Sequence, residues 1–200
     1  MLRLILATRN PHKTREFREI LGADFDVSDL TERPEIPAVL EDGQTFAENA
    51  IRKAVATSLL VSEWVVADDS GLEVAVLRGA PGVRSARFAG EKATDSENVT
   101  KLLAEVKLAD PGGRDRRARF HCALALARAG QLAQTVHGTV EGNLIPLRRG
   151  ARGFGYDPVF APDGYDQTFA ELGDKIKNQV SHRARAIARL REHLQHNHLR

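Results

Sequence analysis

The sequence predicts one α/β domain over residues 1–200, built on a mixed sheet with flanking helices. Three observations carry that expectation. Short β-prone runs alternate with amphipathic helical segments through the first half, the pattern of crossover units. Two long β-prone segments meet at Ala129-Gly130 in the second half, the pattern of a hairpin. Hydrophobic residues make up 42% of the chain, enough for a sizeable core, and no internal repeat, linker or low-complexity tract interrupts it.

Taken in order, Leu2 to Ala7 is a buried strand, and after Lys13 the residues Phe17, Ile20 and Leu21 recur at helical spacing until Gly22 stops the helix. Phe25 to Val39 is a short strand followed by an irregular loop containing Pro34 and Pro37. A helix from Gln44 to about Leu60 places Phe46, Ala50 and Ala54 on one face, with Asn49 and Lys53 beside them. Trp64 to Ala67 is a compact strand that ends at Asp68-Asp69-Ser70-Gly71, and Leu72 to Leu77 is a further strand. A Gly/Pro/Ser/Arg loop runs from Gly79 to Gly90. Thr94-Asp95-Ser96-Glu97 then has the spacing of a capping box opening a helix through Leu102, Leu103 and Val106. Segments 116–127 and 131–140 form the hairpin, Gly150 to Asp157 is a loop, and Val159-Phe160 is a short strand. Ser181 opens the last helix, with Ala184, Ile187, Ala188, Leu190 and Leu194 available for packing.

Composition excludes several function classes. Lys and Arg number 29 against 27 Asp and Glu, a net charge of +2 that suits neither a strongly basic nucleic-acid binder nor an acidic tail. Residues 1–100 carry 12 basic and 17 acidic groups, whereas residues 101–200 carry 17 basic and 10 acidic. One cysteine, Cys122, excludes an intrachain disulfide and a zinc site of several thiolates, so a reducing, cytoplasmic setting is expected. The apolar start Met1 to Ala7 is too short for a signal peptide, and no apolar run approaches the roughly 20 residues of a membrane span. Asn98-Val99-Thr100 is accordingly a chance sequon. His121 and Cys122 are strand neighbours on opposite faces, wrong for a joint site. The arginines at 114, 116, 117 and 119 read as a solvated strand edge, and His193, His196 and His198 as a polar C-terminal end.

Four segments carry candidate chemistry, each with a plainer alternative. Thr8-Arg9-Asn10-Pro11-His12-Lys13 joins a strand to a helix, where backbone N–H groups and Lys13 favour a phosphate; it also fits an ordinary turn. It matches neither a Walker A loop nor a dinucleotide fingerprint. Asp68-Asp69-Ser70-Gly71 places two carboxylates after a central strand, where Mg²⁺ would relieve their repulsion and Glu41 or Glu48 would add oxygen. The same residues are favoured in a simple turn. Gly153-Phe154-Gly155-Tyr156-Asp157-Pro158 suits a flat ligand stacked on a ring, or an aromatic-anchored corner. Lys177 with Ser181-His182-Arg183 offers cationic donors at a helix start, or a solvated surface.

These segments occur in an order that resembles the inosine triphosphate pyrophosphatase family across nearly the whole chain. The resemblance runs through Ala7 to Lys13, Glu41, Thr45 to Ala50, Lys53-Ala54 and Ala67 to Leu72. It continues through Gly79 to Val83, Ser85 to Arg87, Phe120 to Cys122, Gly153 to Pro158 and Ser181 to Arg183. Many members have glycine near the position of His12 and acidic residues where this chain has Lys175-Ile176.

The resemblance implies an elongated mixed sheet in two lobes with a central substrate cleft, and a homodimer. It also implies Mg²⁺-dependent hydrolysis of XTP, ITP and dITP to the monophosphate and pyrophosphate, a cleansing of deaminated purines from the nucleotide pool. Carried over residue by residue, Thr8, Arg9, Asn10, Pro11, His12, Lys13 and Lys53 hold the triphosphate. Glu41 and Asp69, with Asp68, bind Mg²⁺, and Asp69 is the general base. Ser70, Phe154, Gly155, Tyr156, Asp157, Lys177, His182 and Arg183 form the nucleoside and phosphate pocket. The expected partner is a small nucleoside triphosphate, with no nucleic acid and no membrane. Two other classes fit parts of the sequence: a nucleotide-sensing or RNA-associated binding protein without turnover, and an ordinary phosphatase releasing orthophosphate.

Overall fold

A computed structural model describes residues 1–196, so His198 lies outside the described residues. Strand β1 (Leu2–Leu6) lies between β2 (Phe25–Asp29) and β3 (Trp64–Val74) and is parallel to both. The sheet continues through β4 (Arg117–Arg128), β5 (Gln131–Leu144) and β6 (Phe160–Pro162), in the order β2-β1-β3-β4-β5-β6. β5 and β6 pair antiparallel, so the sheet is mixed as expected. Parallel strands need long crossovers, which α1 (Pro11–Leu21) and α2 (Phe46–Ser58) supply. Ala129 and Gly130, with φ of 50° and 76°, make the two-residue turn between β4 and β5.

The chain divides into two compact units. The first comprises Met1–Asp69, Cys122–Gly138 and the segment from His182 onward. Its core joins Leu4, Leu6, Val66, Leu124 and Leu126 of the strands to Phe17 and Leu21 of α1. Ile187, Leu190 and Leu194 of α6 (His182–His196) complete it. β1 is buried on both faces, since Leu4, Ile5 and Leu6 are all inaccessible. The second unit comprises Ser70–His121 and Thr139–Ser181. Leu72 and Val74 pack there with Val99, Leu102 and Val106 of α3 (Asp95–Ala109) and with Phe120, Phe160 and Phe169. Phe120 and Phe160 meet edge to face, centroids 4.7 Å apart.

Three local expectations are corrected. Asp68-Asp69-Ser70-Gly71 is not a turn: β3 runs unbroken from Trp64 to Val74, because buried partners meet both carboxylates. The strand expected to reach Leu77 ends at Val74 and passes into a 3₁₀ turn at Ala75–Leu77. Two short helices, α4 (Phe169–Leu172) and α5 (Asp174–Val180), occupy a stretch to which the sequence had assigned no element. Thr94 and Glu97 form the expected capping box of α3, and Thr168 with Glu171 forms a second one on α4. Among the described residues no helix is long and apolar enough to cross a membrane.

Candidate active site

Successive strand residues point to opposite faces, so Asp68 and Asp69 on β3 have separate surroundings. The Asp68 carboxylate is buried. Its Oδ2 accepts from Arg183 Nε at 2.8 Å and from Cys122 Sγ at 3.2 Å, and its Oδ1 accepts from Lys13 Nζ at 2.5 Å. Arg183 in turn donates to Glu16 Oε2 of α1 at 2.5 Å. Burial pushes the Asp68 carboxyl up, but Arg183 and Lys13 outweigh it and hold the group well below the usual carboxylate range. Burial also pushes the Cys122 thiol well above its ordinary value, with the Asp68 charge adding to the effect.

Asp69 faces α2. Thr45 caps that helix by accepting from the Glu48 N–H, and the buried face Phe46, Asn49, Ala50, Lys53, Ala54 and Thr57 follows helical periodicity. Asn49 Nδ2 donates to Asp69 Oδ2 at 3.1 Å, and Lys53 Nζ reaches Asp69 Oδ1 at 3.2 Å. The same ammonium reaches Glu41 Oε1 at 3.2 Å and the Asp68 carbonyl at 2.8 Å. Burial, with the charge of Glu41 adding to it, outweighs Lys53 and Lys13 and pushes the Asp69 carboxyl up to about 6. Burial likewise works against the charge of Lys53, but Asp69, Glu41 and Asp68 outweigh it and raise that group. Glu41 is lowered because Lys53, which also donates to it, prevails over burial. Glu48 is engaged at the helix start, accepting from the Gln44 N–H at 2.8 Å.

The loop before α1 satisfies its own backbone. Asn10 Oδ1 accepts from the His12 and Lys13 N–H groups, Thr8 Oγ1 accepts from the Asn10 N–H, and Pro11 at the first helical position has no N–H. Arg9 donates to the Ile36 carbonyl at 2.6 Å and so pins the following loop. Lys13 is therefore the positive group this turn presents. Of the predicted residues, the first unit brings Lys13, Lys53, Glu41, Asp68, Asp69 and Arg183 into one charged cluster. His182 is buried at the start of α6 in the same unit.

The remaining predicted residues belong to the second unit, where Ser70 is half-buried on β3. Lys177 and Asp157, each only 2% exposed, form an ion pair at 2.5 Å. The Lys177 ammonium also lies 4.5 Å from the centroid of the Phe154 ring. Asp157 Oδ2 accepts from the Phe154 N–H at 2.9 Å, and Gly155 N–H donates to Asp95 Oδ2 at 2.7 Å. Gly153 has a φ of 77°, and a Cβ there would stand on Asp157 Oδ2, so glycine is required. Tyr156 is a core residue whose hydroxyl donates to the Ser85 carbonyl at 2.8 Å.

In the first unit Glu41 and Asp69 are the side chains that could hold a divalent cation. Among the described residues no three His, Cys, Asp or Glu side chains are grouped to hold a metal unaided. Glu41 and Asp69, however, converge on the same Lys53 ammonium, so their carboxylates are close enough to share a cation. Mg²⁺ is usually bound by one or two carboxylates, with substrate phosphates and water completing its shell. Glu16, Asn49 and Cys122 are site residues that the sequence reading did not assign. Two signals pointed toward Asn49: it lies within the Thr45 to Ala50 motif, and it shares a helix face with Lys53 at four-residue spacing.

Proteins similar to this chain in sequence and in fold are known. The "dITP/XTP pyrophosphatase" of Bacillus licheniformis is 48% identical over 191 residues, covering 95% of this chain and 96% of that protein. The protein of the same name from Desulfotalea psychrophila is 47% identical over 190 residues, covering 94% of this chain and 83% of that one. The solved structure of a HAM1 protein from Coxiella burnetii superposes with a TM-score of 0.87 at 40% identity, covering 98% of this chain and all of that one. Residues 4–193 match the Ham1 family, and the chain therefore belongs to the Ham1 family.

Proposed function

We propose that this chain hydrolyses non-standard purine nucleoside triphosphates of the dITP, XTP and ITP kind, giving the monophosphate and pyrophosphate with Mg²⁺ bound by Glu41 and Asp69. The observation that carries the reading is the pair of carboxylates held on Lys53 beside Lys13, in a chain whose close relatives bear the name dITP/XTP pyrophosphatase. Asp68 already meets Lys13 and Arg183, so it acts by holding Lys13 in place more than by binding a cation itself.

The chemistry follows from charge. The cations Lys13, Lys53 and Arg183 face the carboxylates Glu16, Glu41, Asp68 and Asp69, so the cluster has no positive surplus for a polyphosphate. A bound Mg²⁺ supplies that charge and polarises the phosphoryl oxygens. Lys13 and Lys53 neutralise charge that develops on the departing pyrophosphate. Asp69, held by Asn49 and Lys53, takes the proton of the attacking water. Phe154, held by Asp157 and Lys177, offers an aromatic face on which a purine can stack. A site that donates to O6 accepts a 6-oxo purine and meets a second donor in the adenine amino group. A homodimer in the cytoplasm, cleansing the nucleotide pool, completes the proposal.

The test is incubation with dITP, XTP, ITP, dGTP, GTP and ATP with and without Mg²⁺, measuring pyrophosphate and orthophosphate separately. Pyrophosphate from the first three nucleotides, dependent on the metal, is expected. Orthophosphate as the direct product, ATP consumed as fast as ITP, or binding without turnover would each overturn the reading.

A further inference from the structure

Asn49 is completely buried, and both ends of its side-chain amide are used. Its Oδ1 accepts from the backbone N–H of Gly43 at 2.8 Å, and its Nδ2 donates to Asp69 Oδ2 at 3.1 Å. The polarity of the amide is forced: a backbone N–H can only donate, so the oxygen must face Gly43 and the NH₂ must face Asp69. A Cβ on Gly43 would stand 2.6 Å from Asn49 Oδ1 and 2.9 Å from Glu48 Cβ, so only glycine lets the loop lie this close to α2. Gly43 lies two residues beyond Glu41. One amide therefore ties the loop that carries Glu41 to the carboxylate of Asp69. One helical turn further along, Lys53 takes the other oxygen of Asp69 and also reaches Glu41.

We propose that Asn49 is a positioning residue: it sets the separation and orientation of Glu41 and Asp69, and with them the affinity of the pair for a divalent cation. The proposal rests on the Mg²⁺ site proposed above. Lys53 alone cannot do this, because one flexible ammonium attracts both carboxylates without fixing the angle between them. The amide has two directional bonds, one of them to the backbone, and no room to turn.

Asn49→Ala and Gly43→Ala are compared with the parent chain. Mn²⁺ affinity is measured by titration without nucleotide, kcat and KM for dITP at saturating Mg²⁺, and hydrogen exchange at the Gly43 amide in the metal-free protein. Loss of a partner that orients a metal ligand typically costs about 10- to 100-fold in metal affinity, and that weakening is expected in both variants. KM for dITP at saturating metal is expected to hold while kcat falls, and the Gly43 amide of Asn49→Ala is expected to exchange faster. Should Asn49→Ala fail to fold, Gly43→Ala decides, since it retains every side chain of the site. Parent-like Mn²⁺ affinity in a folded variant, with the parent showing Mg²⁺-dependent turnover, overturns the role of Asn49 alone. A parent chain that binds no divalent cation overturns the proposed metal site and this inference with it.

Discussion

Replacing Arg183 with methionine removes a cation from between two buried carboxylates. The guanidinium lies 2.8 Å from Asp68 and 2.5 Å from Glu16, and the three side chains are 1%, 0% and 3% exposed. Breaking a buried ion pair by deleting one partner costs about 3–5 kcal/mol, because the charge left behind has neither water nor a counter-ion. Lys13 at 2.5 Å still neutralises part of Asp68, so the lower end, ~3 kcal/mol, applies here. In a chain of this size each kcal/mol moves the melting temperature by roughly 2–4 °C, so Arg183→Met is expected to lower it by about 6–12 °C. Calorimetric melting of nucleotide-free, metal-free protein measures this. The double variant with Glu16→Gln loses the stranded charge as well, and should lose less stability than the two single losses added together. A melting temperature for Arg183→Met indistinguishable from that of the parent chain would refute the argument, since no buried charge would then depend on that guanidinium.

Further outcomes follow from the same geometry. Asp69→Asn keeps the size of the side chain and removes the base, so turnover of dITP should fall by about 10²- to 10⁴-fold or more while the melting curve is retained; a rate near the parent's would exclude Asp69 from the chemistry. Phe154→Ala removes a stacking face worth ~1–3 kcal/mol, which should appear as a raised KM for dITP, whereas an unchanged KM would leave that loop a structural corner. Chelation of Mg²⁺ should abolish pyrophosphate release and restoring the metal should recover it, an outcome that persistent turnover in chelator would contradict. Cys122, buried and with its thiol pushed well above the ordinary range, should resist thiol reagents in the native protein and react once denatured, as followed by colorimetric thiol titration.

Local signals identified most of the elements. Asn10 and Pro11 mark the start of α1, Gly22 its end, and Thr94 with Glu97 the start of α3, all through bonds between residues a few positions apart. Thr168 with Glu171 is the same kind of signal, but it opens a helix of only one turn, too short to show a helical period, and α4 went unassigned. Local reasoning failed at Asp68 to Gly71. Each of those residues favours a turn by its own propensity, yet the chain stays extended because Arg183, Lys13, Lys53 and Asn49 compensate the two carboxylates on opposite faces of β3. The aromatic loop was legible as glycines beside rings, but that Lys177 lies over Phe154 and neutralises Asp157 is a contact across 20 residues or more.

The sequence by itself determined the alternation of strands and helices, their caps, and the membership of Lys13, Lys53, Glu41, Asp69, Phe154 and Arg183 in one ordered set of motifs. Periodicity and capping act within a turn or two of chain, so they can be read along it. Only the tertiary structure decided which charge meets which. Glu16 and Arg183 are 167 positions apart, Lys13 and Asp68 are 55 apart, and Asn49 finds both Gly43 and Asp69 only when α2 packs against β3. A buried carboxylate takes its protonation state from what surrounds it, so Asp68 and Asp69, adjacent and chemically identical in the chain, become a group held ionised and a group raised to about 6.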